Sequence, residues 1–164
     1  MSASAKIGIA GCGLLGTALA ERYLAAGFHV LGFDIDPAAL ARFPGERRAS
    51  LQDLRDCRRI VLCLPHSRIS AQVLAELNLH AGTIVIDSTT GDPDEMTAFA
   101  KMLALRGVGY LDATIGGSSK QVREGEAIAI VGGAAIPFQD CSPLFAAFAA
   151  QTFHVGSAGS GACI

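Results

Sequence analysis

The sequence predicts an α/β fold, a doubly wound and largely parallel sheet, and three observations carry that prediction. Short apolar runs suited to strands alternate with segments of helical spacing along the whole chain. The strand runs are continuously apolar, as expected where crossover helices cover both faces of a parallel sheet. At 164 residues, with no internal repeat or low-complexity linker, the chain is sized for one domain that buries its own core.

Taken in order, residues 6–10 read as a first strand, and Leu14, Leu15, Ala18, Leu19 and Leu24 then recur at helical spacing until Gly27 stops the helix. Residues 28–33 form the second strand. After Asp36-Pro37 come a short helix, a polar stretch over 45–50 and a helix over 50–56, before an apolar strand over 59–64. Residues 67–77 suit an amphipathic helix and 83–87 a β-branched strand. Asp92-Pro93 reads as an N-cap followed by proline at the first helical position, opening a helix that Gly107 ends. Further strands are predicted over 108–113, 127–131 and 152–155, with helices near 119–123 and 137–149, and Gly132-Gly133 marks a turn.

Thirteen basic against fifteen acidic residues give a net charge of −2 without a basic run, so nucleic acid is not an expected partner. Residues 1–6 lack the basic stretch and apolar segment of an export signal, which predicts a cytoplasmic setting. No uninterrupted apolar run reaches the roughly 18 residues that span a bilayer, so no membrane partner is expected. The five cysteines, Cys12, Cys57, Cys63, Cys141 and Cys163, form no C-x-x-C pair. They read as small apolar fillers in a reducing compartment, and no metal site is expected. A 51% hydrophobic content and a mean hydropathy of +0.41 are high for a small, fully wetted domain, so part of the surface is expected to be covered.

Gly11-Cys12-Gly13-Leu14-Leu15-Gly16 spells G-x-G-x-x-G where the first strand turns into the first helix, and that context gives the motif its weight. Gly11 can take the tight turn, Gly13 lets a pyrophosphate approach the backbone, and Gly16 lets helix and strand pack closely. The amides at the helix start, at Leu14 and Leu15, would meet the phosphates with the helix dipole behind them. Asp34 ends the second strand, where a carboxylate can accept hydrogen bonds from both ribose hydroxyls and repel a 2′-phosphate. No arginine directly follows it, so NAD is the expected cofactor and NADP the less favoured one. The fold class is accordingly a Rossmann fold.

Three further segments fall at carboxyl ends of predicted strands, where open α/β sheets bind ligands: Leu64-Pro65, Asp87-Ser88-Thr89-Thr90-Gly91-Asp92-Pro93 and Asp112-Ala113-Thr114-Ile115-Gly116-Gly117-Ser118. With the glycine loop, they make the chain resemble, over essentially its whole length, the β-hydroxyacid dehydrogenases, the family of 3-hydroxyisobutyrate dehydrogenase, tartronate semialdehyde reductase and 6-phosphogluconate dehydrogenase. The resemblance implies that Leu64 and Pro65 line the cofactor cleft, that Thr89 falls on the family's serine, and that Thr90 lies near the nicotinamide ribose. It also implies a loop gripping the substrate carboxylate, with Gly116, Gly117 and Ser118 as its binding residues. The sequence departs from the family by carrying Thr114 for a proline and Gly116 for a serine. The carboxylate is then left to backbone N–H groups, or to Ser118 or Ser119.

Hydride transfer to or from a hydroxyacid needs a group that takes or returns the hydroxyl proton. In the resembling family this is a lysine on the helix that follows a G-x-x-G-x-G turn. Gly156-Ser157-Ala158-Gly159-Ser160-Gly161 resembles that turn, and Ile164 precedes the lysine's position. The family's all-helical domain, which covers the active site and forms the dimer, is likewise not within these residues. The resemblance thus implies that residues 1–164 are the NAD-binding domain of an oxidoreductase moving a hydride between a nicotinamide cofactor and a small hydroxyacid, with no catalytic residue inside it. The full-length protein is expected to be a homo-oligomer, and the fragment alone to turn over little or not at all. His66 follows Leu64-Pro65 but reads as a solvent-facing loop residue, and His29, His80 and His154 suggest nothing catalytic. Lys120 and Arg123 suit either a solvated helix face or the attraction of an anionic substrate. The alternative function is a non-catalytic NAD-sensing or interaction module.

Overall fold

In the computed structural model, which describes residues 5–164, eight strands form one sheet. They are β1 (Lys6–Ala10), β2 (His29–Phe33), β3 (Glu46–Arg47), β4 (Arg59–Leu62), β5 (Ile84–Asp87), β6 (Gly109–Gly116), β7 (Ala127–Gly132) and β8 (Ala149–Gly156), in the order β3-β2-β1-β4-β5-β6-β7-β8. Every pairing is parallel except β6 with β7. The helices are α1 (Leu14–Ala25), α2 (Pro37–Ala41), α3 (Ser67–Glu76), α4 (Pro93–Ala104), α5 (Ser119–Glu124), α6 (Ala135–Asp140) and α7 (Ser142–Ala146), with 3-10 turns at Leu51–Leu54 and Gly161–Cys163. Residues 1–4, part of the opening stretch read as lacking an export signal, lie outside the described residues.

The continuous apolar strands have a direct explanation in two cores, one on each face. Ile7, Ile9, Val30, Val61, Ile84 and Ile86 face a core shared with Leu19 and Tyr23 of α1, Val122 of α5 and Phe145 of α7. The alternate residues Ala10, Leu31, Ile60, Leu62 and Val85 face a second core with Leu74 of α3 and Met96, Phe99 and Leu103 of α4. Since successive side chains on a strand point to opposite faces, burial on both sides requires apolar residues at every position. The strand order also fixes where a ligand can go. β2 lies on one side of β1 and β4 on the other, so the crossovers diverge there and leave a crevice at the strands' carboxyl ends.

The helix starts follow their local chemistry. Asp36 Oδ1 accepts the Ala38 N–H (2.9 Å) and Asp92 Oδ1 accepts the Asp94 N–H (2.8 Å), each ahead of a proline that has no N–H to satisfy. Four details depart from the sequence reading. The polar stretch 45–50 contains β3, two exposed charged residues whose backbone pairs with Leu31 and Gly32, which no apolar pattern announces. The helix expected over 50–56 is a single 3-10 turn closed by a Ser50–Asp53 capping box. The helix expected over 137–149 is two short helices meeting at Cys141, because Pro143 has no N–H to continue the first, and Ala149 already opens β8. β6 runs on to Gly116 by pairing antiparallel with β7.

Cys12, Cys57 and Cys141 are buried as expected, whereas Cys63 is half-buried and Cys163 is exposed. Burial pushes the Cys12, Cys63 and Cys141 thiols up to about 12 and that of Cys57 up to about 11. Because the thiolate is the reactive form, these four should resist alkylation in the native protein. Mass spectrometry after brief iodoacetamide treatment is expected to find one modified cysteine, Cys163, and five after denaturation; native labelling of Cys12, Cys57 or Cys141 would contradict their burial. The uncovered apolar surface suggested by the composition also exists. Ile128 on β7 and Phe153 and Val155 on β8 are more than a third exposed at the β8 end of the sheet.

Candidate functional site

The crevice at the carboxyl ends of β1, β2, β4 and β5 is a cleft of about 530 Å³. Every cofactor-binding residue named from the sequence borders it: Gly11, Gly13, Leu14, Leu15, Gly16, Asp34, Leu64, Pro65 and Thr90. Its remaining wall comprises Ile35, Leu51, Cys63, Ile69, Val73 and Ser88, none of them named from the sequence as a cofactor residue, with the inner ends of the strands at Ala10 and Phe33. Ile69 and Val73 stand one helical turn apart on α3, a spacing visible in the sequence but indistinguishable there from core packing.

Each glycine of the loop meets a different constraint. Gly11 sits at φ +100°, and a Cβ there would fall 2.2 Å from the Cys63 carbonyl oxygen on the neighbouring chain segment. At Gly16 a Cβ would lie 1.9 Å from the Gly11 carbonyl oxygen, so α1 and the loop touch backbone to backbone. Around Gly13 nothing lies within 4 Å of an added Cβ, and the space it leaves belongs to the cleft. The loop's first amides are already committed: Gly11 N–H donates to the Phe33 carbonyl (2.9 Å) and Cys12 N–H to Asp34 Oδ2 (2.7 Å). Helix geometry leaves the amides from Leu14 onward in the first turn of α1 without intrahelical acceptors, and they open on the cleft. Asp34 is held on its other oxygen as well, where Oδ1 accepts the Asp36 N–H (2.8 Å).

At the opposite end, Thr89 Oγ1 accepts the Leu64 N–H (3.1 Å), tying the loop after β4 to the loop after β5. Ser88 donates its hydroxyl to the Leu62 carbonyl (2.6 Å) and lies 3.3 Å from the Cys63 sulfur. The substrate loop read from the sequence is on the same edge of the sheet but outside the cleft. Gly116 ends β6 with room for a side chain, Gly117 takes φ +124°, and Ser118 caps α5. Ser118 Oγ accepts the Gln121 N–H and Ser118 N–H donates to Gln121 Oε1, so this serine is committed to the helix start and does not reach into the cleft.

Asp112, buried on β6, holds the turn that the sequence likens to G-x-x-G-x-G. Its Oδ1 accepts the Gly159 N–H (2.6 Å) and its Oδ2 the Ala162 N–H (2.9 Å), while Thr114 donates its hydroxyl to the Gly161 carbonyl (2.8 Å). Asp112→Ala strands two amides in a site that water barely reaches, at roughly 1–3 kcal/mol each. A loss of about 3 kcal/mol in urea denaturation is expected, and less than about 1 kcal/mol would show that the turn stands without it. His66 is exposed at the start of α3 and does not border the cleft. The other histidines have structural partners: His29 with Glu46 (2.7 Å), His80 with Asp56 (3.1 Å), and His154 with the Gly133 carbonyl (2.7 Å) and the Phe138 ring. Arg123 is paired with Glu21 (2.7 Å) and Lys120 with Glu124 (3.7 Å). Among the described residues no cluster of His, Cys, Asp or Glu could hold a metal ion, and no helix is long and apolar enough to cross a membrane.

Comparison with known proteins matches residues 6–156 to the family described as the NAD binding domain of 6-phosphogluconate dehydrogenase. The chain is 26% identical to 2-(hydroxymethyl)glutarate dehydrogenase of Eubacterium barkeri, over 98% of this chain and 56% of that protein. It is 30% identical to L-threonate dehydrogenase of Cupriavidus necator, over 94% of this chain and 55% of that protein. Among solved structures, 3-hydroxyisobutyrate dehydrogenase of Mycobacterium tuberculosis with L-serine superposes at a TM-score of 0.92 and 22% identity, over 98% of this chain and 57% of that one, a likeness of fold. The chain spans about half the length of the curated relatives it matches.

Proposed function

The chain belongs to the family of the NAD-binding domain of 6-phosphogluconate dehydrogenase, and from that premise we propose that residues 1–164 are the dinucleotide-binding domain of an oxidoreductase that moves a hydride between NAD and a small β-hydroxyacid. The observation that carries this reading is the open space at Gly13, between two glycines that admit no side chain, where the first-turn amides of α1 face the cleft. Such a cradle suits a diphosphate, which needs backbone donors at close range and no Cβ in the way.

In this reading Leu14, Leu15 and Gly16 present the α1 amides to the pyrophosphate, and Asp34 accepts from the adenosine ribose hydroxyls with the oxygen lone pairs left by Cys12 and Asp36. Leu51, Ile69 and Val73 give the adenine an apolar wall, and Leu64, Pro65 and Thr90 hold the nicotinamide side. When bound, the cofactor supplies the hydride acceptor or donor, which no side chain can replace. The chain's contribution is to fix that cofactor and to exclude water along the apolar wall.

For the substrate carboxylate we assign the loop Gly116, Gly117 and Ser118. Because Ser118 caps α5, the weight falls on the backbone of the two glycines. A proton-transferring lysine beyond residue 164 and an all-helical domain complete the reading, and that domain is the occupant it gives to the apolar strip of Ile128, Phe153 and Val155. Residues 1–164 alone then bind cofactor without turnover. Calorimetry with NAD+ tests the first part: no heat with folded chain removes the reading. Hydroxyacid-dependent NADH formation by the same chain tests the second, and appreciable turnover would place the proton-transferring group within these residues.

A further inference from the structure

The buried carboxylate of Asp87 lies outside the cleft and has no part in the reading above. It ends β5 with no exposed surface, and all of its hydrogen-bond partners are neutral. Tyr110 of β6 donates its hydroxyl to Oδ2 (2.9 Å), while Oδ1 accepts the Thr89 N–H (3.0 Å) and the Ser70 hydroxyl of α3 (3.4 Å). Burial pushes the Asp87 carboxyl above its ordinary range and these hydrogen bonds pull it back. A carboxylate in a core without a cation is costly, and an apolar residue would fill the same space at lower cost. What it offers instead is acceptors at one point for donors arriving from a helix, a neighbouring strand and a loop.

That loop leads straight to the cleft. Thr89, held through its N–H by Asp87, accepts the Leu64 N–H on its hydroxyl, and Leu64, Pro65 and Thr90 line the cleft at the ends of β4 and β5, two and three strands along the sheet from β2 and Asp34. Asp34 and the glycine loop take one end of an extended ligand, so this wall takes the other. We propose that Asp87 is the positioning residue for the second nucleotide of the bound dinucleotide, acting through Thr89 to hold Leu64, Pro65 and Thr90 in register. The inference rests on the dinucleotide reading and adds a division of the cleft: Asp34 and α1 set the affinity for the adenosine diphosphate half, and Asp87 sets what the rest of the ligand gains.

Two probes separate the halves, ADP and NAD+, each titrated calorimetrically against the chain and against Asp87→Ala, Thr89→Val and Thr89→Ser. Thr89→Val keeps the β-branched shape and removes only the hydroxyl, so it serves if Asp87→Ala fails to fold. In both of these the NAD+ dissociation constant is expected to rise about tenfold, the effect of one lost hydrogen bond. The ADP constant should stay within about twofold. Thr89→Ser restores the hydroxyl and should return NAD+ binding to within about threefold of the unmodified chain. In Thr89→Val, weakening of both probes together, or unchanged NAD+ binding, overturns the proposal. If the unmodified chain binds no ADP, the dinucleotide reading itself falls and takes this inference with it.

Discussion

Gly13→Ala is expected to melt within about 2 °C of the unmodified chain and to bind NAD+ ten- to hundredfold more weakly, a loss of about 1.4–2.8 kcal/mol. The two effects separate because the added methyl meets nothing beyond its chain neighbours within 4 Å and the residue's φ of −74° lies outside the left-handed region that requires glycine. Folding therefore meets no steric clash and loses only part of the N-cap preference for glycine over alanine, whereas a diphosphate drawn against the α1 amides would meet the methyl directly. Gly16→Ala should do the opposite to stability. Its Cβ would lie 1.9 Å from the Gly11 carbonyl oxygen, backbone against backbone, so α1 must shift off β1. Overpacking of that kind costs upward of 1–3 kcal/mol, which is a drop of roughly 5–10 °C in a domain of this size. Thermal melts beside calorimetry read both. If Gly13→Ala binds NAD+ as well as the unmodified chain, the open space at position 13 is not where the diphosphate sits.

The glycine loop is legible in the sequence because G-x-G-x-x-G stands at a strand-to-helix junction, and its three glycines answer three different steric demands there. The strands are legible because burial on two faces leaves no polar position in Ile84-Val85-Ile86. β3 is not, since Glu46 and Arg47 join the sheet through backbone hydrogen bonds and carry the side chains of a surface loop. The helix break at Cys141 does have a sequence signal, Pro143 inside an otherwise helical pattern. At the site, the residues on the strand-end loops can be named individually, but the wall supplied by α3 cannot. Ile69 and Val73 have the spacing of core residues, and only the switch of crossover direction between β1 and β4 turns that face toward a ligand. Asp87 stands inside a recognisable motif without a role, because a carboxylate's burial and its three converging donors are properties of the assembled sheet.

Asp34→Ala is expected to cost NAD+ about a hundredfold in affinity while changing NADP+ by less than about tenfold, so that the two cofactors end up nearly equal. The carboxylate is fixed in place before any ligand arrives, by the Cys12 N–H on one oxygen (2.7 Å) and the Asp36 N–H on the other (2.8 Å). Its remaining lone pairs then suit a ribose diol, and hydrogen bonds to a charged acceptor contribute about 1.5–3 kcal/mol each. A 2′-phosphate removes one of those hydroxyls and brings negative charge toward the carboxylate. At about 4 Å and an effective dielectric constant near 20, the repulsion is on the order of 4 kcal/mol per pair of unit charges, an upper bound here because Asp34 is only half-buried and salt screens it. The unmodified chain should therefore prefer NAD+ by at least about a hundredfold, and raising the salt concentration should narrow that margin by weakening the repulsion alone. Alanine removes the repulsion and the hydrogen bonds together, and it also frees the Cys12 amide that the aspartate had occupied. That freed donor lies beside the phosphate cradle, which is why NADP+ should lose so little. Parallel titrations of both cofactors into both proteins decide it: equal binding of NAD+ and NADP+ by the unmodified chain would mean that the diol is held elsewhere and that Asp34 serves only to brace the glycine loop.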